Sequence, residues 1–142
     1  MPFVIDASIA ACWALRDEQH PYADAARERV ANDPGLAPSL WWFEIRNIIV
    51  IKELKNRITE RDSAAFLGWM NRLGIALDRS PDSSELLRLA RKHKLTIYDT
   101  AYLELSIRTR VPLATLDQDL ANAAKAEGVP VVGDTTASDL YP

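Results

Sequence analysis

Four acidic residues stand in settings that an ordinary surface carboxylate does not occupy. Asp6 ends the apolar run Phe3-Val4-Ile5, and Asp117 ends a second run, Val111 to Leu116. Short apolar runs of this kind read as strands buried on both faces, as in a parallel sheet. Open α/β sheets bind their ligands beyond the carboxyl ends of such strands. Two neighbouring strands ending in Asp would therefore bring both carboxylates to one edge. An aspartate between strand and helix is also a good N-cap, so either residue alone has two equal explanations.

Glu44 is the most informative of the four. At helical spacing its neighbours are Leu40, Trp41, Ile48 and Ile51, which sets a carboxylate inside an apolar stripe. An unpaired charge there is costly, so Glu44 either joins a buried ion pair with a distant arginine or works as a functional group. Asp99, in Thr96-Ile97-Tyr98-Asp99-Thr100, falls in the first turn of a helix, where the dipole favours an anion. As one of a set of four it carries more weight than alone.

If the four converge, a specific chemistry follows. Two carboxylates about 5 Å apart repel by about 3 kcal/mol at an effective dielectric near 20. Four cannot all stay ionised without protons or a multivalent cation. Oxygen ligands with no His or Cys nearby select Mg²⁺, with Mn²⁺ as a substitute, over zinc. Such an ion ionises a water and offsets charge on a phosphoryl group, which is the chemistry of phosphodiester hydrolysis. The sequence offers no Ser-His-Asp set and no glycine-rich phosphate loop.

The elements that must position these residues alternate. Strands are expected at 3–5, 36–38, 75–77, 111–116 and 130–132. Between them come helices from Ile9 to Leu15, Pro21 to Ala31, Ser39 (as cap) to Asn56, Glu60 to Leu73, Asp82 to His93, Thr96 to Thr109 and Gln118 to Glu127. Thr59 and Asp62 form a capping box, and Gly128 closes the last helix. The pattern implies a three-layer α/β/α fold on a mainly parallel sheet of about five short strands, as a single domain over 1–142.

Composition narrows the setting. At 142 residues and 48% apolar content the chain can bury a sizeable core. No run is long enough for a membrane span, and Met1-Pro2-Phe3 lacks the basic region of a secretory signal. Cys12 is the single cysteine and reads as core filler, consistent with a cytoplasmic protein. His20 and His93 read as solvent-facing. The net charge of −3 argues against a general nucleic-acid coat. Basic residues nevertheless cluster at 52–61 and 88–94, as solvated helix faces or as a surface that tracks phosphates.

The order Asp6-Ala7-Ser8, then Glu44 on a helix, Tyr98-Asp99-Thr100-Ala101, and Thr115-Leu116-Asp117-Gln118-Asp119-Leu120 resembles the PIN-domain nucleases. Within that family it looks most like the VapC-type toxins of toxin–antitoxin pairs. The resemblance implies a Mg²⁺-dependent endoribonuclease whose acidic pocket is matched by Asp6, Glu44, Asp99 and Asp117. Ser8 and Thr115 match positions that orient that pocket, and Asp119 is either a further acid behind it or an exposed residue of the last helix's first turn, the second reading being favoured. An RNA substrate, a cognate antitoxin and a homodimer are the implied partners. The apolar residues of the Glu44 helix cover more than one face, which leaves a surface for such a partner or for other helices of the chain.

Three other readings compete. A haloacid-dehalogenase-type phosphatase needs an Asp two residues after its nucleophile, where this chain has Ser8. A receiver-like module needs a lysine after a late strand, where this chain has Leu116-Asp117. A PIN-like fold that only binds protein or RNA would not need all four acids.

Overall fold

The computed structural model describes residues 1–14 and 19–134. Four strands form one sheet: β1 (Phe3–Ile5), β2 (Gly35–Pro38), β3 (Ala76–Asp78) and β4 (Leu113–Ala114). Their order is β3-β2-β1-β4, and every pairing is parallel. β1 is thus central, and its three residues are fully buried. Alternation sends Val4 into one apolar cluster and Phe3 with Ile5 into another, so both faces of the sheet are covered.

Among the described residues, seven helices surround the sheet: α1 (Ala7–Trp13), α2 (Pro21–Val30), α3 (Leu40–Leu54), α4 (Glu60–Leu73), α5 (Ser83–His93), α6 (Ile97–Thr109) and α7 (Gln118–Ala126). The expected α1 reached Leu15, which lies outside the described residues. α2 and Val4's partners α3, α6 and α7 supply the two apolar layers. Cys12 is buried, as its apolar neighbours imply.

Three expectations need correction. The run 130–132 is not a fifth strand: Val131 makes only an isolated bridge to Leu113. Pro130 has no N–H to give a ladder, and Gly133 (φ 92) turns the chain away after Val132. The run 111–116 pairs over Leu113–Ala114 alone. Pro112 interrupts its start, and Thr115 turns its side chain to Asp6. Ser39, finally, occupies the N-cap position of α3 without capping it. Its backbone is already helical (φ −58, ψ −28), which removes the extended conformation a capping hydroxyl uses. α3 also stops at Leu54, before Asn56, whose φ of 57 suits asparagine better than most residues.

The capping box at α4 is present in both halves, Thr59 Oγ1 accepting from Asp62 N and Asp62 Oδ2 from Thr59 N. Thr59→Ala is expected to cost about 1 kcal/mol, read as a lower urea midpoint at unchanged slope. A buried charge network ties α6 to β3. Glu104 is 2% exposed, accepts from Asp82 N and from Arg108, and Arg108 forks onto Asp78. This fixes α6, which carries Asp99, against the end of the sheet.

Candidate active site

Each of the four acids is delivered by a different element to the carboxyl edge of the sheet. Asp6 follows β1 directly. Asp117 follows β4, the neighbour of β1, after Thr115 and Leu116. Glu44 lies in the second turn of α3, which starts where β2, the other neighbour, ends. Asp99 sits in the first turn of α6. Asp6, Glu44 and Asp99 repel one another, and Asp99 is repelled in turn by Asp117. The structure therefore brings all four into one electrostatic neighbourhood.

Asp6 holds the N-cap position of α1 but its side chain caps nothing. Its Oδ2 instead accepts from Thr115 Oγ1 at 2.7 Å and from Ser8 Oγ at 2.9 Å. The same two hydroxyls accept from backbone: Ser8 Oγ from Leu116 N, and Thr115 Oγ1 from Asp117 N. Ser8 and Thr115 thus bolt β1's acid to the segment that carries Asp117. Asp117 itself does cap α7, accepting from Leu120 N through Oδ1. For that residue the capping explanation and the pocket position hold together.

Glu44 is half-buried, and no Lys or Arg pairs with it among the described residues. Its partner is the hydroxyl of Tyr102, a fully buried residue of α6 that donates to Glu44 Oε1. Nothing local in the sequence announces Tyr102. It lies 58 positions away and reads as core aromatic. Its position three residues beyond Asp99, one helical turn along α6, is the one available signal.

Proton affinities follow from this environment. Burial raises the Asp6 carboxyl above its ordinary value; the Thr115 and Ser8 hydrogen bonds oppose this, and the Asp99 charge adds to it. Burial likewise raises Glu44; the Tyr102 hydroxyl opposes the rise, and Asp6 and Asp99 reinforce it. Asp99 is raised by burial and then by Asp117, against its Thr96 hydrogen bond, with Asp119 contributing last. Tyr102 is driven strongly upward by burial and by the same carboxylates, so it remains a protonated donor.

Two of the acids, Glu44 and Asp99, border an open cleft of about 540 Å³ whose other lining residues are Leu40, Phe43, Thr96 and Tyr98. Asp119 is exposed in the first turn of α7, as its position implies. His20 is exposed and accepts from Tyr22 N at the start of α2. His93 is not solvent-facing: it is only 12% exposed and its Nε2 lies 2.7 Å from Glu127 Oε2. Glu127 also pairs with Lys92, and Arg88 pairs with Glu85, so part of the basic cluster at 88–94 is neutralised within the chain.

The PIN domain family matches residues 3–126. The chain belongs to the PIN domain family. Among solved structures, the chain resembles the crystal structure of PAE2754 from Pyrobaculum aerophilum, with 21% identity and a TM-score of 0.70 over 99% of this chain and 95% of that one. At that identity the likeness speaks to the fold alone. No curated protein matches the chain. PIN domains are generally nucleases, hydrolases that act on nucleic acid and typically use a divalent metal.

The donor set of this PIN domain fits such a metal. The four acids offer only carboxylate oxygens as donors, and three of the carboxyls are held above their ordinary proton affinity by burial and mutual repulsion, which a cation would relieve. Among the described residues, no three His, Cys, Asp or Glu side chains are grouped so that together they could hold a metal ion. Mg²⁺ is commonly bound through one or two carboxylates, with waters and substrate phosphate as its other ligands. No helix among the described residues is long and apolar enough to cross a membrane.

Proposed function

We propose that this PIN domain is a Mg²⁺-dependent endoribonuclease, acting in the cytoplasm as the toxin of a type II toxin–antitoxin pair. Asp6, Glu44, Asp99 and Asp117 form the acidic pocket for the metal, one or two of them binding it directly and the others through its waters. The observation that carries the reading is the convergence of four acids from four elements, with Asp6 turned away from capping and into a hydrogen-bonded cradle. When bound, Mg²⁺ supplies the positive charge that ionises an attacking water and offsets the charge building on the scissile phosphate. The chain's own residues prepare for this. Ser8 and Thr115 fix one oxygen of Asp6, and Tyr102 fixes one oxygen of Glu44 and favours its ionised form. Ser8 is committed to Asp6 and to Leu116 N, so the acid that phosphatase chemistry needs at this position is replaced by a positioning hydroxyl.

The partner half of the reading rests on α3. Val50, Ile51 and Leu54 are exposed along its carboxyl-terminal half, an apolar ridge that an antitoxin helix would cover. A homodimer is proposed as the solution state, to be checked by light scattering.

The direct test is incubation of the purified protein with structured RNAs. Cleavage is expected with Mg²⁺ or Mn²⁺ and none with EDTA. Metal-independent cleavage, or an acyl-phosphate on Asp6 after treatment with a small phosphodonor, would refute the assignment. Co-expression with a cognate antitoxin is expected to suppress the cleavage.

A further inference from the structure

Each of the two acids that border the cleft is preceded in sequence by an aromatic residue: Phe43-Glu44 on α3 and Tyr98-Asp99 on α6. Consecutive helical residues point about 100° apart. The acid can therefore face the cleft while the ring stands on its rim, and all four residues line the same opening. Phe43 is 72% exposed and Tyr98 67% exposed. Scattered exposed apolar residues are ordinary, but two flat rings on one acid-lined cleft are not scattered.

The rim is also braced. Trp42 meets Phe43 edge-on, with ring centroids 5.1 Å apart at 70°. The Arg46 guanidinium lies 3.6 Å from the Trp42 ring centroid, and its Nη1 donates to Trp42 O. Phe43 thus stands on a supported platform. Tyr98 has neither a stacked ring nor a hydroxyl partner among the described residues, so its face and its oxygen are both available.

We propose that Phe43 and Tyr98 form a base-stacking clamp that takes unpaired nucleobases of the RNA beside the scissile phosphate. The inference deepens the ribonuclease reading and rests on it. Aromatic faces hold unpaired bases whatever their sequence, and A-form duplex keeps its bases stacked away from such rings. The site needs this contribution, because its acids repel phosphates and the chain is net negative. A protein side is disfavoured as occupant of this rim. Apolar protein packed across both rings would desolvate Glu44 and Asp99 between them, whereas a base lying on one ring leaves the carboxylates open.

The test is fluorescence anisotropy of a labelled single-stranded oligoribonucleotide with Mg²⁺, using Asp6→Asn protein so that the probe stays intact. Adding Phe43→Ala or Tyr98→Ala is expected to weaken binding about tenfold each, while Phe43→Trp and Tyr98→Phe bind like their background. An abasic probe is expected to bind weakly and equally to all of them. In otherwise native protein the alanine variants should raise KM about tenfold and change kcat less than twofold. Unchanged RNA affinity in both alanine variants overturns the clamp and leaves the ribonuclease reading standing. So does an equal loss on the abasic probe, or unchanged RNA affinity with a shifted dimer mass, which would mark the rim as a protein contact. A parent protein that neither binds nor cleaves RNA overturns both.

Discussion

Asp6→Asn is expected to lower metal-dependent RNA cleavage by at least about 100-fold and, in EDTA, to raise the melting temperature. The two effects have one origin. Asp6 is 6% exposed, and burial lifts its proton affinity against hydrogen bonds, from Thr115 and Ser8 first, that oppose the rise. An ionised Asp6 in the metal-free fold is therefore a cost, and the Asp99 charge adds to it. Asparagine keeps a carbonyl oxygen for the Ser8 and Thr115 hydroxyls while removing the charge. The expected result is therefore a higher melting temperature for the variant in EDTA. Saturating Mg²⁺ should reverse the ranking, because it stabilises only the protein that binds it, by about 2.7 kcal/mol at 100 times its Kd. Calorimetry with and without Mg²⁺ reads both halves. A variant that melts below the parent in EDTA would show that Asp6 is a structural acid.

The same raised carboxyls set a pH dependence. Asp6, Glu44 and Asp99 all hold their protons to higher pH in the fold than in the unfolded chain. Where the folded state binds more protons, stability falls as pH rises. The metal-free protein is thus expected to lose stability from the ordinary carboxylate range upward, until the raised folded values are passed. Metal binding needs the ionised forms, so its affinity runs the other way and fails as pH drops through those same values.

Asp6 and Asp117 could be read from sequence because burial on both faces gives a strand an uninterrupted apolar run, and an acid at its end breaks the run visibly. Glu44 was legible for the same reason at helical period, as the one charge on an apolar stripe. Its partner was not. The Glu44 stripe called for a compensating group, and charge pairing suggested arginine, yet the group is a neutral hydroxyl brought across the fold from α6. A residue that is apolar over most of its surface leaves no mark among core residues, and only tertiary packing decides where its oxygen lands. The sheet edge shows the opposite limit. Val111 to Val132 contains two convincing apolar runs, but Pro112 and Pro130 remove ladder donors, and the runs shrink to a two-residue strand and a single bridge. Hydrophobic pattern reports burial, and here burial outlasts pairing.

Tyr102→Phe is expected to lower the affinity for Mn²⁺ about 10- to 100-fold, the usual effect of removing a group that orients a ligand. The hydroxyl does two things at once. It donates to Glu44 Oε1, and it stands within the field of the Asp6 carboxylate. It therefore ties α6, which carries Asp99, to the Glu44 carboxyl of α3. Burial and the nearby carboxylates push its own ionisation far upward, so it serves only as a donor at any working pH. Phenylalanine keeps the ring that packs in the core and deletes the link. Without it Glu44 loses the one contact that opposes burial, so its proton affinity rises further and the acid limb of the cleavage profile moves to higher pH. A stability loss of about 1 kcal/mol accompanies this, from one buried hydrogen bond. Leu103→Ala, a neighbouring core truncation, should cost more stability and leave Mn²⁺ affinity within a factor of two wherever the protein is folded. The deciding measurement is a double-mutant cycle. In a Glu44→Gln background, Tyr102→Phe should have almost no further effect on Mn²⁺ affinity, because the link it breaks no longer carries a charge. Equal losses in both backgrounds would mean that Tyr102 acts through the core and not through Glu44.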